Sequence, residues 1–523
     1  MGVSDVGSEV VVAVDLGTSC IKAGVIDEEG NVLATAVENA VLYHRGEGWV
    51  EQDPEQLYVS TLSVIKRLVS KSEIPADRVA CVSIDAQMAG LIGIDSSWNA
   101  LTPYDSWLDT RCTPYILQME RECGRDVVES SGCPPTIAYG PKVLWWKNEH
   151  PATFQQVAKF LPLTSYISGR LCGLTAKDAF MDFTHLHFTS LACLGEGVWS
   201  SRLCAALGIK EDKLPEIVKP WDMVGRLGKG AANECGLAEG TPVTAGIGDT
   251  AASVLGAGVV QSGMVLDMAG TACSLLTCTE DFTPDTEHRV FMVSRSAVPG
   301  LYHVSAYVNG GGECLRWLAG DVYQGDRTSA PRESAGVSLA ELDLAAAKVP
   351  PGAGSLLFLP YFGGRIAPPQ PFMRGAYLGL TWSHGREHLY RSVLEGIAYE
   401  YSIYIDLERT LFPSLAFREI RVAGGGARSQ IWNQMKADIL GIPYATLDKD
   451  EIALIGSALI GAYSVGLIQD LQKTALRWTR VNQRLAPRPE IGREYSRYAI
   501  AYRKAVEALI PVFAELSELR KAP

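Results

Sequence analysis

The stretch AVDLGTSCIK, residues 13–22, ends an apolar run with an aspartate and then places a glycine and two hydroxyl residues in a row. The preceding EVVVAVDL and the following CIKAGVID are both rich in β-branched residues, which predicts two strands joined by a tight loop. A third run, VLATAVE, follows the turn signal EEGN and extends the meander. Because Rossmann and Walker nucleotide sites begin a helix where the glycine loop ends, this order of elements argues against both.

The loop between the first two strands has two interpretations. Gly17, Thr18 and Ser19 can turn backbone N–H groups and hydroxyls toward an anion, and Asp15 beside them can hold a cation. The structural alternative is an ordinary Gly-Thr hairpin turn. The segment by itself leaves both interpretations open.

Composition limits the class of protein and its partners. A chain of 523 residues is too long for one core and predicts about two domains. With 47% hydrophobic residues, 20% charged residues and a net charge of −12, it offers no basic surface for nucleic acid or an acidic membrane. The first ten residues lack the features of a secretory signal, and the twelve cysteines form no C-x-x-C pair. We therefore expect a cytoplasmic protein with reduced thiols and without nucleic-acid or membrane partners.

Three further segments are better explained by a structural role than by a functional one. HLH at 185–187 could place two imidazoles on one strand face, but no third metal ligand is in view, so a structural role is favoured. The run 452–468 is short for a membrane span and carries three glycines, which favours a buried helix with close backbone packing and the DKDE carboxylates at its N-terminus. The stretch 493–523 predicts a surface amphipathic helix with a break at Pro511.

The opening pattern occurs a second time, about one domain length further along the chain. VLDMAGTACSLLTC, residues 265–278, again runs from an apolar strand through Asp267 to Gly270 and Thr271 and into a second apolar strand. A duplicated fold that holds a nucleoside triphosphate between two facing loops is the simplest explanation. Chance similarity of two Gly-Thr hairpins is the alternative.

Two later segments support the duplicated site. PVTAGIGDTAASVLGAGVV, residues 242–260, is an apolar strand that stops at Asp249 and passes into a helix of small residues. In residues 418–441 a strand is followed by three glycines and an amphipathic helix, with Ser429 as the expected N-cap. The expected apolar side of that helix consists of Ile431, Met435 and Ile439. A ligand could lie against the bare backbone of the glycines, although a helix cap and a tight turn would explain the two features separately.

Together these motifs resemble the FGGY family of carbohydrate kinases, from about Val11 to about Gly466. The matching segments are VDLGTSCIK, AGIGDTAAS, DMAGTACS and AGGGARS. LPYFGGRIAP, residues 359–368, is similar to the family's signature region, although the usual Gly-Glu-Arg is reduced to Gly364-Arg365. Within the family, WVEQDPEQLY, LTPYDSWLDTRC, GPKVLWWK and GGGARS are most similar to the members that phosphorylate xylulose.

The resemblance implies an α/β fold of two actin-like (ribonuclease H-like) domains, with a cleft for ATP and sugar between them. We expect the domains to span residues 9–258 and 259–523, the second with a C-terminal helical tail. The implied reaction is transfer of the γ-phosphate of ATP, with Mg²⁺, to a hydroxyl of a ketopentose, xylulose being favoured. Another ketose, a polyol or a sugar acid, of the ribulose, erythritol or gluconate kind, is the alternative. The oligomeric state is left open, with a homodimer as one option.

The resemblance also assigns roles to residues. Asp249 would be the catalytic base and would hold Mg²⁺ together with Asp15. The residues expected at the phosphates and adenosine of ATP are Gly17, Thr18, Ser19, Lys22, Gly270, Thr271, Gly424, Gly425, Gly426, Ala427 and Arg428. Those expected at the sugar are Gln87, Met88, Trp107, Asp109, Arg111 and Asp249. A solvated Asp109–Arg111 ion pair and a core Trp107 are the structural alternatives, and the stretch 309–313 is a weaker candidate for the cleft.

One position departs from the xylulose-type pattern. Those family members typically read Gln-Met-His-Gly in the sugar-facing loop, whereas this chain has Ala89 in place of the histidine. An alanine side chain cannot hydrogen-bond a sugar hydroxyl, so either another residue supplies that contact or the preferred sugar differs from xylulose.

Two rival interpretations come from other classes of protein. They are an ATPase of the chaperone or filament kind and a catalytically silent sugar-binding regulator.

Overall fold

Two seven-stranded mixed sheets organise the chain in the computed structural model, which describes residues 9–323, 338–366 and 368–521. The expectation about a secretory signal falls mostly outside the described residues, as does Ala367 in LPYFGGRIAP. The strands of the first half are β1 (Val10–Leu16), β2 (Cys20–Ile26), β3 (Val32–Asn39), β4 (Tyr43–Gly46), β5 (Trp49–Gln52), β6 (Val79–Ala86), β7 (Ile92–Ile94), β8 (Tyr104–Asp105), β9 (Lys159–Leu161), β10 (Phe180–Asp182), β11 (Ala192–Cys193), β12 (Val198–Trp199), β13 (Glu216–Val218), β14 (Met223–Arg226), β15 (Pro242–Thr244) and β16 (Ile247–Gly248). Those of the second half are β17 (Met264–Ala269), β18 (Cys273–Thr279), β19 (Met292–Arg295), β20 (Tyr302–Val308), β21 (Leu357–Leu359), β22 (Ala376–Leu378), β23 (Glu419–Ala423), β24 (Tyr444–Leu447) and β25 (Val481–Leu485).

Helices cover the faces of both sheets. Those of the first half are α1 (Pro54–Ser72), α2 (Thr113–Ser131), α3 (Tyr139–Glu149), α4 (Pro151–Gln156), α5 (Leu163–Cys172), α6 (Ser201–Ala206), α7 (Lys229–Cys235) and α8 (Asp249–Gly256). Those of the second half are α9 (Gly311–Trp317), α10 (Leu339–Ala346), α11 (Arg386–Leu411), α12 (Gln430–Leu440), α13 (Ile452–Ser464), α14 (Leu471–Trp478) and α15 (Pro489–Lys521). The division of the chain into residues 9–258 and 259–523 remains our proposed domain boundary, between the end of α8 and the start of β17.

The two main sheets share one topology. In the first, the order is β14-β15-β6-β1-β2-β3, with β16 also paired to β6. In the second, it is β19-β20-β18-β17-β23-β24-β25. In each sheet a buried strand pairs antiparallel with the next strand of the chain and parallel with a later one, β6 beside β1 and β23 beside β17. The predicted meanders and their repetition are therefore present, and the α/β fold of two duplicated halves is confirmed.

The repeat is not exact at its aspartates. Asp15 stands two residues before Gly17, whereas Asp267 stands three residues before Gly270. Asp267 is fully buried, and its carboxylate forms an ion pair with Lys436 at 2.6 Å. Because Cβ atoms alternate along a strand, one residue of offset turns the second aspartate into the core. It is a core ion pair and not a second cation site.

Small residues let the two halves meet backbone to backbone. A Cβ placed on Gly256 of α8 would collide with the carbonyl of Ile452 in α13, and one on Gly456 would collide with the carbonyl of Ala252. α13 also covers the first sheet, where Gly461 lies against Cys81. Residues from both halves form one apolar cluster around these two helices. The prediction of a buried helix in 452–468 is confirmed, and no helix within the described residues is long and apolar enough to cross a membrane.

One local prediction, the helix break at Pro511, was wrong. The final helix runs through Pro511 to Lys521, because proline removes one hydrogen bond on an exposed face where water can satisfy the freed carbonyl. The HLH segment is a 3₁₀ turn (Phe183–Phe188) and not a strand. Its structural role is confirmed, because His185 is buried against Thr164 and Asp182. All twelve cysteines are free thiols, as expected.

Candidate active site

Three carboxylates meet at one edge of the first sheet. Asp15 near the end of β1 and Asp85 near the end of β6 are direct partners in parallel register. Asp249 is the first residue of α8 and directly follows β16, in which Ile247 pairs with Asp85. Because neighbouring parallel strands end at the same edge, residues far apart in sequence are brought together there. The sequence had pointed to Asp15 and Asp249 but not to Asp85.

Burial and mutual repulsion shape the electrostatics of this edge. Burial, with a contribution from the charge of Asp15, raises the pKa of Asp249 to about 7, and hydrogen bonds from Thr250 act in the opposite direction. Burial, followed by the charge of Asp15, holds the pKa of Asp85 well above its usual range. Burial also raises the pKa of Asp15, while a hydrogen bond with Asp85 and the charge of Lys22 act against it. The cluster therefore favours a proton or a cation.

The residues present fit a magnesium ion that is held partly by its substrate. No group of three or more His, Cys, Asp or Glu residues converges on a metal position within the described ranges. Mg²⁺ is commonly bound by one or two carboxylates, with water and phosphate oxygens in the remaining positions. Asp15 supplies one carboxylate, and Oδ1 of the buried Asp85 has no hydrogen-bond partner. This arrangement suits a hard divalent cation.

The first glycine loop contacts the expected sugar residues through a threonine. The Thr18 hydroxyl donates to Oε1 of Gln87 at 3.2 Å and accepts from the indole N–H of Trp107 at 2.9 Å. Gly17 makes the tight turn, since a Cβ there would stand 3.0 Å from the carbonyl oxygen of Cys20. The loop therefore offers backbone groups to an anion, while its threonine side chain is occupied on the sugar side.

Lys22 is engaged with the other half of the protein. It lies opposite Asp15 in the β1–β2 register, and its Nζ forms an ion pair with Glu451 at 2.6 Å. Glu451 is the last of the DKDE carboxylates and occupies the N-cap position of α13 without a side-chain capping hydrogen bond. The carboxylates ahead of this helix thus include one that ties the expected phosphate-binding lysine to the interdomain helix.

Several expected sugar residues lie together beside Asp249. Gln87 is buried and donates to Gln52 at 2.6 Å. Met88 packs on Gly248, where a Cβ would stand 2.5 Å from its sulfur. Trp107 is 47% exposed and is therefore not a core aromatic. Amide, thioether and indole groups thus line the space next to the expected base.

Asp109 and Arg111 form part of a buried network and not a solvated pair. The guanidinium of Arg111 pairs with Asp105 at 2.7 Å, Glu51 at 2.8 Å and Asp109 at 2.9 Å. It also lies over the rings of Trp49 and Trp145, with 4.5 and 4.6 Å to the ring centroids. Asp109 additionally accepts from the backbone N–H of Val50 at 2.8 Å. The side chains of Asp109 and Arg111 are therefore bound to other protein groups, an arrangement that suits residues holding the loop with Trp107 in place.

Ala89 stands in the left-handed backbone region, with φ of 65°. Few non-glycine residues adopt this conformation, and histidine, asparagine and aspartate tolerate it better than most. Gly90 has no room for a Cβ, which would collide with the ring of Tyr104. The loop backbone would therefore accept a histidine at 89 but not a side chain at 90.

The second glycine loop is backed by the stretch 309–313. The carbonyl oxygen of Thr271 accepts from the backbone N–H of Glu313 at 3.2 Å, and its hydroxyl accepts from Arg316 at 2.9 Å. A Cβ on Gly312 would collide with the carbonyl of Gly270. The glycines of that stretch let it pack under the loop, and Arg316 adds a cation that the sequence had not indicated.

The triple glycine borders a cavity of about 360 Å³, lined by Gly424, Ala427, Arg428 and residues of β24, of the segment that follows β24, and of β25. Its glycines differ in what a side chain would meet. A Cβ on Gly425 would face open space, whereas one on Gly426 would stand 2.6 Å from the ring of Trp432. Ser429 caps α12 by accepting from the N–H of Trp432, as predicted. Of the expected apolar side, only Met435 is fully buried, and Ile431 and Ile439 are half-buried.

The signature segment obtains its carboxylate from another element. Arg365 is buried and pairs at 2.9 Å with Glu400 of α11, which also accepts from the hydroxyl of Tyr361. The missing glutamate therefore does not leave the arginine without a partner.

Tyr307 of β20, in the second half, lies close enough to Asp249 to be affected by its charge. Burial raises the pKa of Tyr307 to about 12, and the charge of Asp249 contributes. An electrostatic effect of this kind places Asp249 near the ring from the opposite half. Nothing in the local sequence around Tyr307 indicated this role.

Duplicated α/β halves, each with a glycine hairpin, and a carboxylate that both halves approach define a two-domain phosphotransferase of the actin-like class. The sequence matches the N-terminal domain of the FGGY family of carbohydrate kinases over residues 10–256 and its C-terminal domain over residues 267–465. The chain belongs to this family and is a carbohydrate kinase.

Relatives with named substrates span nearly the whole chain. The xylulose kinase of Bacillus subtilis is 29% identical over 487 residues, covering 93% of this chain and 94% of its own. The gluconokinase of Bacillus subtilis is 26% identical over 514 residues, covering 97% and 96%. The crystal structure of gluconate kinase from Lactobacillus acidophilus superposes with a TM-score of 0.88 at 23% identity, covering 98% of this chain and 100% of that one, which establishes the fold.

Proposed function

We propose that this carbohydrate kinase transfers the γ-phosphate of ATP to a hydroxyl of a ketopentose, with D-xylulose as the first candidate. The observation that carries the proposal is the group of Thr18, Gln87 and Trp107, joined by hydrogen bonds next to Met88 and Asp249. Amide and indole groups with an adjacent thioether are suited to a polyhydroxylated, uncharged ligand.

Asp249 acts as the general base in this proposal. It accepts the proton of the sugar hydroxyl as that oxygen attacks the γ-phosphorus, and the bond from the phosphorus to the β-phosphate oxygen breaks. A pKa of about 7 suits a base that works near neutral pH. Asp15 would hold Mg²⁺, which when bound neutralises charge on the phosphate oxygens.

The glycine hairpins bind the phosphates from opposite sides. The loop at Gly17 belongs to the first half and the loop at Gly270 to the second, so closure of the halves brings their backbone N–H groups to one anion. The cavity lined by Gly424 would take the adenosine. Closure also excludes water that could accept the phosphate in place of the sugar.

The charge of the sugar region favours a neutral ketose over a sugar acid. Arg111, the nearby guanidinium, already faces three carboxylates at 2.7 to 2.9 Å. A sugar carboxylate would enter a region whose positive charge is neutralised and where Asp249 would repel it. The relation to xylulose kinases points the same way, whereas the gluconokinase relatives keep the sugar acid as the alternative.

Ala89 provides the test of the sugar. The experiment measures kcat/KM for D-xylulose, D-ribulose, erythritol and D-gluconate, with wild type, Ala89→His and the control Ala89→Gly, which accepts the same backbone without adding a hydrogen bond. We expect D-xylulose to lead, and Ala89→His to improve it by roughly tenfold or more while Ala89→Gly does not. A clear preference for D-gluconate would overturn the assignment to a ketopentose.

A further inference from the structure

Asp85 is a buried carboxylate that the proposed mechanism leaves without a role. Its side chain is completely buried at the edge shared with Asp15. Oδ2 accepts a hydrogen bond from the hydroxyl of Ser457 at 2.6 Å. Oδ1 has no partner among the described residues. A buried charge is costly unless it is paired, so a single hydrogen bond from a hydroxyl does not offset the cost of burying the Asp85 carboxylate.

Among the described residues, no lysine, arginine or histidine forms an ion pair with Asp85. Lys22, whose positive charge acts on Asp15, is itself paired with Glu451 at 2.6 Å. The residue that faces Asp85 directly is Asp15, its partner in the parallel β1–β6 register. Two carboxylates are both acceptors, so this approach is stable only with a proton or a metal ion between them. If Asp85 served only to stabilise the core, we would expect it to have more hydrogen-bond donors or an opposite charge beside it.

We propose that Asp85 is a second protein ligand, beside Asp15, of a hard divalent cation of the Mg²⁺ or Mn²⁺ kind. The inference rests on the proposed function, which assigns a metal ion to Asp15. Two carboxylates and a remainder of water and phosphate oxygens form a common set of Mg²⁺ ligands. The orphaned oxygen of Asp85 is the free ligand atom that such a site needs.

Ser457 has a positioning part in this site. It belongs to α13, the helix that packs between the halves, and its hydroxyl holds one oxygen of Asp85 so that the other is left for the metal. Hydrogen-bonded partners of metal ligands orient them and raise affinity. The ion would therefore be bound by the first half and adjusted by a helix of the second half.

The test is direct binding of Mn²⁺ to the full chain without nucleotide or sugar, measured by the electron paramagnetic resonance signal of the free ion. We compare wild type with Asp85→Asn, Asp15→Asn and Glu408→Gln. Glu408 is the matched control, because it is fully buried with both carboxylate oxygens unpartnered and lies on α11 in the other half. We expect both aspartate variants to bind Mn²⁺ at least tenfold more weakly and the control to bind it as wild type does.

The outcomes separate this inference from the proposed function. Weakening by Asp15→Asn with unchanged binding by Asp85→Asn would overturn the role of Asp85 and keep that of Asp15. Absence of Mn²⁺ binding by wild type, or unchanged binding by both aspartate variants, would overturn the metal site. The proposed function is tested separately, by sugar-dependent turnover. If Asp85→Asn does not fold, Ser457→Ala keeps both carboxyls and is expected to weaken Mn²⁺ binding by a few fold, and equal affinity would count against the inference.

Discussion

Replacing Asp249 by asparagine removes the proposed base with little other change. The Oδ1 atom of Asp249 accepts from the backbone N–H of Thr250 at 2.6 Å and from its hydroxyl at 3.2 Å, and the carbonyl oxygen of an asparagine can accept both bonds. The start of α8 is therefore preserved, and the variant loses the ability to take a proton. General-base catalysis contributes about 10² to 10⁴ in rate, which is about 3 to 5 kcal/mol in activation free energy. We expect kcat to fall by that factor while the KM for sugar and the unfolding temperature change little.

The assay is ADP release coupled to pyruvate kinase and lactate dehydrogenase, with saturating ATP, Mg²⁺ and sugar. Sugar binding to the variant, measured by calorimetry, serves as the control for an intact site. Turnover of Asp249→Asn within about threefold of wild type would refute the base assignment. A loss of sugar binding together with turnover would show that the carboxylate acts in binding.

Three further outcomes follow from contacts in the structure. Gly425→Val is expected to raise the KM for ATP at least tenfold with unchanged unfolding temperature, because its Cβ would enter open space next to Gly424, which lines the cavity. Gly426→Val is expected to lower that temperature, because its Cβ would meet the ring of Trp432 at 2.6 Å; the reverse pattern would exchange the roles of the two glycines. Gly456→Ala is expected to cost about 3 kcal/mol or more of unfolding free energy in urea titrations, because its Cβ would enter the backbone of α8, and a value near zero would contradict that packing. Burial lowers the pKa of His187 to about 3 and of His303 to about 4, so these two side chains bind fewer protons in the folded state than in the unfolded state below pH 6.5. The stability that these two neutral histidines contribute is then lost as pH falls from about 6.5, by about 1.4 kcal/mol per pH unit for each histidine until its folded pKa is reached. The raised pKa of Asp249 acts in the opposite direction, so the measurement is the difference in urea midpoint between wild type and His303→Gln at pH 7 and at pH 5, and a difference that does not change with pH would disagree with this.

The elements that the sequence predicted are those with strong local signals. The two meanders follow from β-branched runs broken by Gly-Thr loops, and the repeat follows from comparing those runs. The helix at 452–468 was identified because its length and small residues fit a buried helix better than a membrane span. Ser429 was identified as a cap because a hydroxyl residue directly precedes a helical period.

The features that were missed depend on register between distant strands. Asp85 lies opposite Asp15 only because β6 pairs with β1, and the sequence does not specify that register. The burial of Arg111 depends on partners from separate segments, so the sequence suggested a sugar contact or a solvated i, i+2 pair and not a buried network. The one-residue offset of Asp267 is visible in the sequence. Only the structure shows that this offset places the Asp267 side chain in the core, paired with Lys436.

The most direct test of the account is ADP release by the purified chain with and without sugar. If the chain is an ATP-dependent ketopentose kinase, Mg²⁺ and ATP alone give little ADP, and D-xylulose raises the rate by at least tenfold, with equimolar sugar phosphate formed. Sugar-independent ADP release would indicate an ATPase of the chaperone or filament kind. No release with any sugar, together with measurable sugar binding, would indicate a silent regulator, and either result would contradict the account.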